Sequence, residues 1–179
     1  MFIPNSQRKK ALFIVDVQDW FIIDRNKYII PNIIEIIKNY NYDLIVYSIS
    51  YNEKNSLWHN QIWWYESIKE NDTIDGIKKA LVWKDTIKVK KITRSIWKWD
   101  LDLFSILKNK WIEEVHLTWY ETNDCIMASA FESIDLWFYT FVIEEAVETR
   151  TTAKNHTMAI EILNYLKLTN NSDYVGKNL

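Results

Sequence analysis

The chain has 179 residues, a formal net charge of −2 and a single cysteine, Cys125. That length is one ordinary domain with room for a full core, and the scattered, near-balanced charge excludes a nucleic-acid surface or an acidic tail. One cysteine excludes an internal disulfide framework and fits a reducing compartment, while no apolar run reaches the roughly 18 residues of a membrane span and no signal-peptide core opens the chain. The expectation is a single cytoplasmic domain over residues 1–179, with no membrane and no nucleic-acid partner.

Residues 1–10 read as a short polar arm. Ala11 to Val15 is a continuous apolar run ending at Asp16, as in a strand buried on both faces. Pro31 to Tyr40 reads as a helix with Ile33, Ile34, Ile36 and Ile37 as its core stripe, and Leu44 to Ile49 as the second strand. Tyr51 to Asn71 is a long aromatic loop or lid with a helical piece. His59 within it has no second histidine or carboxylate at ligand spacing, which favours a surface histidine over a metal ligand. Asp72 to Lys84 is less regular. Thr86 to Lys90 alternates like a strand and ends at Lys91. A helix from Asp100 or Asp102 to about Asn109 follows, then a strand from Glu114 to Thr118. Thr122 can cap the next helix, which runs from Ile126 to Leu136 and puts Cys125 in its first turn. Phe138 to Ile143 is another strand. A last helix runs from Thr151 or Thr152 to Leu168 with Met158, Ile160, Ile162, Leu163 and Leu166 inside, before a polar, frayed tail over 169–179. Strand and helix alternate without repeats or linkers, which predicts an α/β fold: one parallel sheet with helices on both faces.

Asp16, Lys91 and Cys125 each follow a strand-like run at its carboxyl end, and those ends converge on one edge of such a sheet. A helix N-terminus favours a thiolate at Cys125, although neighbouring Asp124 opposes it. Together the three can act as nucleophile, cation and proton carrier in attack on a carbonyl. Taken singly, each has a plainer reading. Asp16 can cap a turn, Lys91 can be a solvated edge charge, and Cys125 can be a small buried residue.

Ala11-Leu12-Phe13-Ile14-Val15-Asp16-Val17-Gln18, Lys91 four residues before Ser95, and Glu121-Thr122-Asn123-Asp124-Cys125 resemble the three signature segments of the isochorismatase-like cysteine hydrolases. That group includes nicotinamidases and N-carbamoyl amidases. The likeness extends through Glu145-Ala146-Val147-Glu148-Thr149 and His156, over about residues 10–168. It implies a Rossmann-like, three-layer α/β/α sandwich with a six-stranded parallel sheet. It also implies Asp16 as general base, Lys91 as its charged partner and Cys125 as nucleophile. A cis peptide between Tyr120 and Glu121 and an oxyanion hole from the N–H groups of Glu121 and Cys125 belong to the same pattern.

Two departures stand out. Nicotinamidases carry a metal-binding Asp and two His after the second strand, whereas this chain reads Ser48-Ile49-Ser50-Tyr51-Asn52-Glu53-Lys54, so no metal and no other cofactor is expected. The second concerns ten tryptophans against two glycines, an inversion of average usage. Trp20, Trp111, Trp119 and Trp137 fall where the family usually has Gly, and Trp97 and Trp99 lie in a segment where Gly is common. A gene in which UGA means glycine, translated with UGA as tryptophan, would produce this pattern; an aromatic-rich pocket of genuine tryptophans is the alternative. Under the first reading Trp119 crowds the oxyanion loop and leaves the chain as written inactive. The expected activity is hydrolysis of an amide or carbamoyl-type C–N bond of a small-molecule substrate. The alternatives are vinyl-ether hydrolysis driven by Asp16 without covalent catalysis, and a non-catalytic ligand-binding member. The sequence is compatible with a homo-oligomer.

Overall fold

The computed structural model describes residues 7–51, 56–61, 73–98 and 101–171, and five strands form its one all-parallel sheet. The strands are β1 (Lys10–Val15), β2 (Leu44–Ser50), β3 (Thr86–Lys91), β4 (Glu114–Tyr120) and β5 (Tyr139–Glu148), in the spatial order β3-β2-β1-β4-β5. Between and after them lie α1 (Ile29–Asn39), α2 (Leu57–Gln61), α3 (Asp75–Leu81), α4 (Leu103–Asn109), α5 (Met127–Asp135) and α6 (Ala153–Tyr165). None of these helices is long and apolar enough to cross a membrane.

Alternation along β1 builds the three layers. Leu12 and Ile14 face α1 and α3, joining Ile29, Ile33, Ile37 and Ile77. Ala11, Phe13 and Val15 face the other way, joining Leu103 and Leu107 of α4, Ala130 of α5 and Leu163 of α6. Successive strand side chains point to opposite faces, so an unbroken apolar run is what a doubly covered strand requires. In α1 the buried Ile29, Ile33, Ile36 and Ile37 follow the helical spacing of a core stripe. Pro31 is its third residue, in the first turn, where a missing N–H costs no intrahelical bond.

Among the described residues the sheet has five strands rather than six. After α6 the chain returns beside β5, where the described residues pair with it at the parallel bridge Val142–Thr169. The Asn170 side chain then accepts from Glu144 N at 2.9 Å, so a side chain rather than a ladder satisfies that edge group. Thr169 and Asn170 are buried, so the tail is anchored at its start instead of frayed. Two helices also differ from expectation. The irregular stretch holds α3, too short for its three buried residues, Ile77, Ala80 and Leu81, to establish a period. In α6 only Ala159 and Leu163 are buried, while Met158, Ile162 and Leu166 are exposed. Ile160 packs half-buried against the core beside that i, i+4 pair, while Met158 and Ile162 lie about 100° round the helix from it and reach solvent.

Candidate active site

The strand order reverses between β1 and β4, and open α/β sheets bind ligands at the carboxyl ends of strands beside such a switch. Asp16 follows β1 there, with a left-handed φ of 63° that Asp tolerates better than most residues. Ser48, near the end of β2, fixes it twice: Asp16 N–H donates to Ser48 Oγ at 2.8 Å, and Ser48 Oγ donates to Asp16 Oδ1 at 2.9 Å. Lys91 ends β3, two strands and roughly 9–10 Å from β1, a gap that its long side chain bridges. Its Nζ stands 2.8 Å from Asp16 Oδ2 and 3.4 Å from Cys125 Sγ. The carbonyls of Thr93 and Arg94 accept from the same Nζ at 2.8 and 3.0 Å.

Cys125 lies in a π-type turn, Thr122–Ile126, that opens α5 and is closed by Ile126 N–H to Glu121 O at 3.1 Å. Such turns are rare and recur at functional sites. Thr122 is not the cap. Glu121 holds that position, and the Thr122 hydroxyl instead meets His156 Nδ1 at 3.0 Å. The Tyr120–Glu121 peptide is cis. The structure therefore brings Asp16, Lys91 and Cys125 into one cluster and sets Glu121 at the start of the cysteine turn.

Asp16 and Lys91 are fully buried, and Cys125 keeps 8% of its surface exposed. Burial pushes the Cys125 thiol well above its ordinary pKa; Lys91 opposes this, and the nearby negative charges of Asp16 and Asp124 reinforce it. This reverses the thiolate expected from the helix N-terminus: desolvation and two carboxylates outweigh one dipole and one ammonium. Burial works to lower the Lys91 pKa, but Asp16 and Cys125 overcome it and leave the ammonium more firmly protonated than in water. The resting cluster is thus a thiol held neutral by burial, beside the Lys91–Asp16 ion pair.

A surrounding layer holds the strand ends. Gln18 clamps β2 at both groups of Ser50, Nε2 donating to Ser50 O at 2.9 Å and Oε1 accepting from Ser50 N at 2.7 Å. Glu121 accepts from Arg150 Nε at 2.5 Å and Thr149 Oγ1 at 2.8 Å, and the Arg150 guanidinium lies over the Trp20 ring. Arg94 pairs with Asp124 at 2.7 Å. Ser95 accepts from Trp97 N–H, and His156 also reaches Glu148 at 3.4 Å. Ser48 and Arg150 carried no motif, and Gln18 entered only as the end of the first signature segment; the position of Ser48 at a strand's carboxyl end signals its role.

Among the described residues no group of three or more His, Cys, Asp or Glu side chains is arranged to hold a metal ion. In the segment after β2, the Ser48 hydroxyl is committed to Asp16 and the Ser50 backbone pairs with Gln18, while Asn52, Glu53 and Lys54 lie outside the described residues. The side chain of His59 lies outside the described residues. A groove of about 770 Å³ lined by Phe138 and Leu168 lies at the amino end of β5 and is no part of this cluster.

The family model for the isochorismatase domain matches residues 10–171. Among solved structures, an isochorismatase-like hydrolase from Alkaliphilus metalliredigens superposes with a TM-score of 0.72 at 20% identity, covering 90% of this chain and 92% of that one. A pyrazinamidase/nicotinamidase from Streptococcus mutans UA159 gives 0.72 at 21% identity, with 89% and 98% covered. An N-carbamoylsarcosine amidase from Thermoplasma acidophilum gives 0.69 at 18% identity, with 86% and 92% covered. No curated protein matches the sequence.

Proposed function

This chain belongs to the isochorismatase family of hydrolases, and from that premise we propose that it cleaves an amide or carbamoyl-type C–N bond of a small molecule through Cys125. The observation that carries the reading is the buried Lys91 ammonium, 2.8 Å from the Asp16 carboxylate and 3.4 Å from the Cys125 sulfur. The amide and carbamoyl substrates in the names of two structural neighbours support the choice of bond.

Because the thiol rests protonated, the first step is general-base catalysis. Asp16 takes the Sγ proton as sulfur attacks the carbonyl carbon. Lys91 stays charged and holds Asp16 in place. The backbone N–H groups of Glu121 and Cys125 are the oxyanion donors. Asp16 then returns its proton to the departing nitrogen, the C–N bond breaks, and an acyl-thioester remains. Water, deprotonated by the same carboxylate, attacks the thioester, releases the acid and restores the thiol.

The test is turnover of a panel of small primary amides and N-carbamoyl compounds by the wild-type, Cys125→Ser and Cys125→Ala proteins, with intact-mass detection of an acyl adduct. The reading expects an adduct on Cys125 and no turnover in Cys125→Ala. Full hydrolysis by Cys125→Ala would move the chemistry to Asp16 alone. A protein that binds panel members but neither turns them over nor forms an adduct, both as written and as Trp119→Gly, would be a ligand-binding member of the fold.

A further inference from the structure

Six described non-glycine residues have positive φ, and four of them are tryptophans: Trp83 at 71°, Trp111 at 60°, Trp119 at 94° and Trp137 at 64°. No described glycine does. A bulky side chain at positive φ is an outlier anywhere, so four in one chain need a common cause. We infer that positions 83, 111, 119 and 137 are built for glycine, that the working polypeptide carries glycine there through UGA codons, and that position 119 sets the cysteine turn.

Each site is a motif whose geometry asks for glycine. After α4, Trp111 N–H bonds Lys108 O and Ile112 N–H bonds Leu107 O, both at 3.0 Å. After α5, Trp137 N–H bonds Ile134 O at 2.9 Å and Phe138 N–H bonds Ser133 O at 3.0 Å. Both are the paired bonds of a Schellman motif with the tryptophan at the left-handed position, where glycine is the usual residue. Val82 (φ −56°, ψ 130°) and Trp83 (φ 71°), with Lys84 N–H to Leu81 O at 3.0 Å, form a type II turn, which places glycine at its third residue. Trp83, Trp111 and Trp137 are 98%, 76% and 88% exposed, so no packing compensates the strain. Lys167 occupies the same position after α6, which shows that another residue can stand there once, but it is not repeated among the turns.

Trp119 sits within β4 where its register with β5 shifts between Leu117 and Trp119, a bulge of the kind strand glycines mark. It is fully buried, and its indole N–H finds no partner among the described residues. Trp97 provides the contrast. Its φ is unremarkable, its indole N–H donates to Ser133 Oγ at 2.8 Å, and it stacks on Phe138 at 5.0 Å. Trp20 likewise lacks the signature, lying in the short 3-10 turn Asp19–Phe21, so the sequence expectation narrows there and widens to Trp83. Trp119 lies two residues before Glu121, whose carbonyl closes the cysteine turn.

The first test is the coding sequence. UGA at all four positions supports the inference, and UGG at any of them overturns it. The second is substitution in the full chain. Trp83→Gly, Trp111→Gly and Trp137→Gly are each expected to raise Tm by about 2–4 °C without changing turnover per folded molecule. Trp119→Gly is expected to hold or raise Tm and to increase kcat with KM little changed. A genuine core tryptophan would respond in the opposite sense, with a fall on the order of 10 °C. That fall, or lower Tm in the three turn variants, would overturn the inference whatever becomes of the proposed chemistry.

Discussion

Replacing Lys91 by methionine keeps the volume and removes the charge. At 2.8 Å and an effective dielectric of about 20, the Lys91–Asp16 attraction is about 6 kcal/mol before desolvation is subtracted. Both partners are fully buried, and breaking a buried pair by removing one member typically costs about 3–5 kcal/mol, because the other is left uncompensated. Lys91→Met should therefore lose about 3–5 kcal/mol in urea unfolding and abolish turnover. The double variant Lys91→Met/Asp16→Asn should recover most of the stability and none of the activity. The wild-type protein adds a pH signature. The folded-state pKa of Lys91 is raised, so its stabilisation is fully present below the unfolded value of 10.5 and is lost as pH rises through the folded value. That alkaline loss should vanish in Lys91→Met. A single variant losing less than about 1 kcal/mol, well below the range expected for a broken buried pair, would refute the reasoning.

The raised thiol pKa predicts that iodoacetamide labelling of Cys125 shows no inflection below the unfolded value of 9.0, and that folding stability weakens as pH passes that value, an effect Cys125→Ala removes. Ser48→Ala should lower kcat about 10- to 100-fold with KM little changed, since it frees the Asp16 carboxylate from its positioning bond; leaving buried partners unsatisfied should cost about 1–3 kcal/mol in unfolding.

Most of the fold was legible because the strands are apolar runs of the right length. Ala11 to Val15 and Leu44 to Ile49 fall inside β1 and β2 to within a residue at each end. The edge was harder to read. Thr169 and Asn170 are polar and do not announce a strand, and Asn170 replaces a ladder bond with its side chain. Asp16, Lys91 and Cys125 could be named from strand ends and motif resemblance, yet the charge state of the thiol could not. It depends on burial and on distances to Asp16 and Lys91 that sequence spacing does not carry. Ser48 and Arg150 act by contacts 32 and 29 residues away in sequence, beyond the reach of local pattern.

The span of Lys91 across the end of β2 has a kinetic consequence. Asp16, Lys91 and Cys125 come from three separated segments, and the ammonium meets its partners only when β3, β2, β1 and β4 are already in register. No hairpin or single βαβ unit of this chain contains the cluster. Parallel sheets close late because their pairings are distant in sequence, so catalytic competence should emerge in the final folding phase and disappear at the first loss of sheet order. A fluorogenic substrate would then report on global folding as directly as a spectroscopic probe of the core.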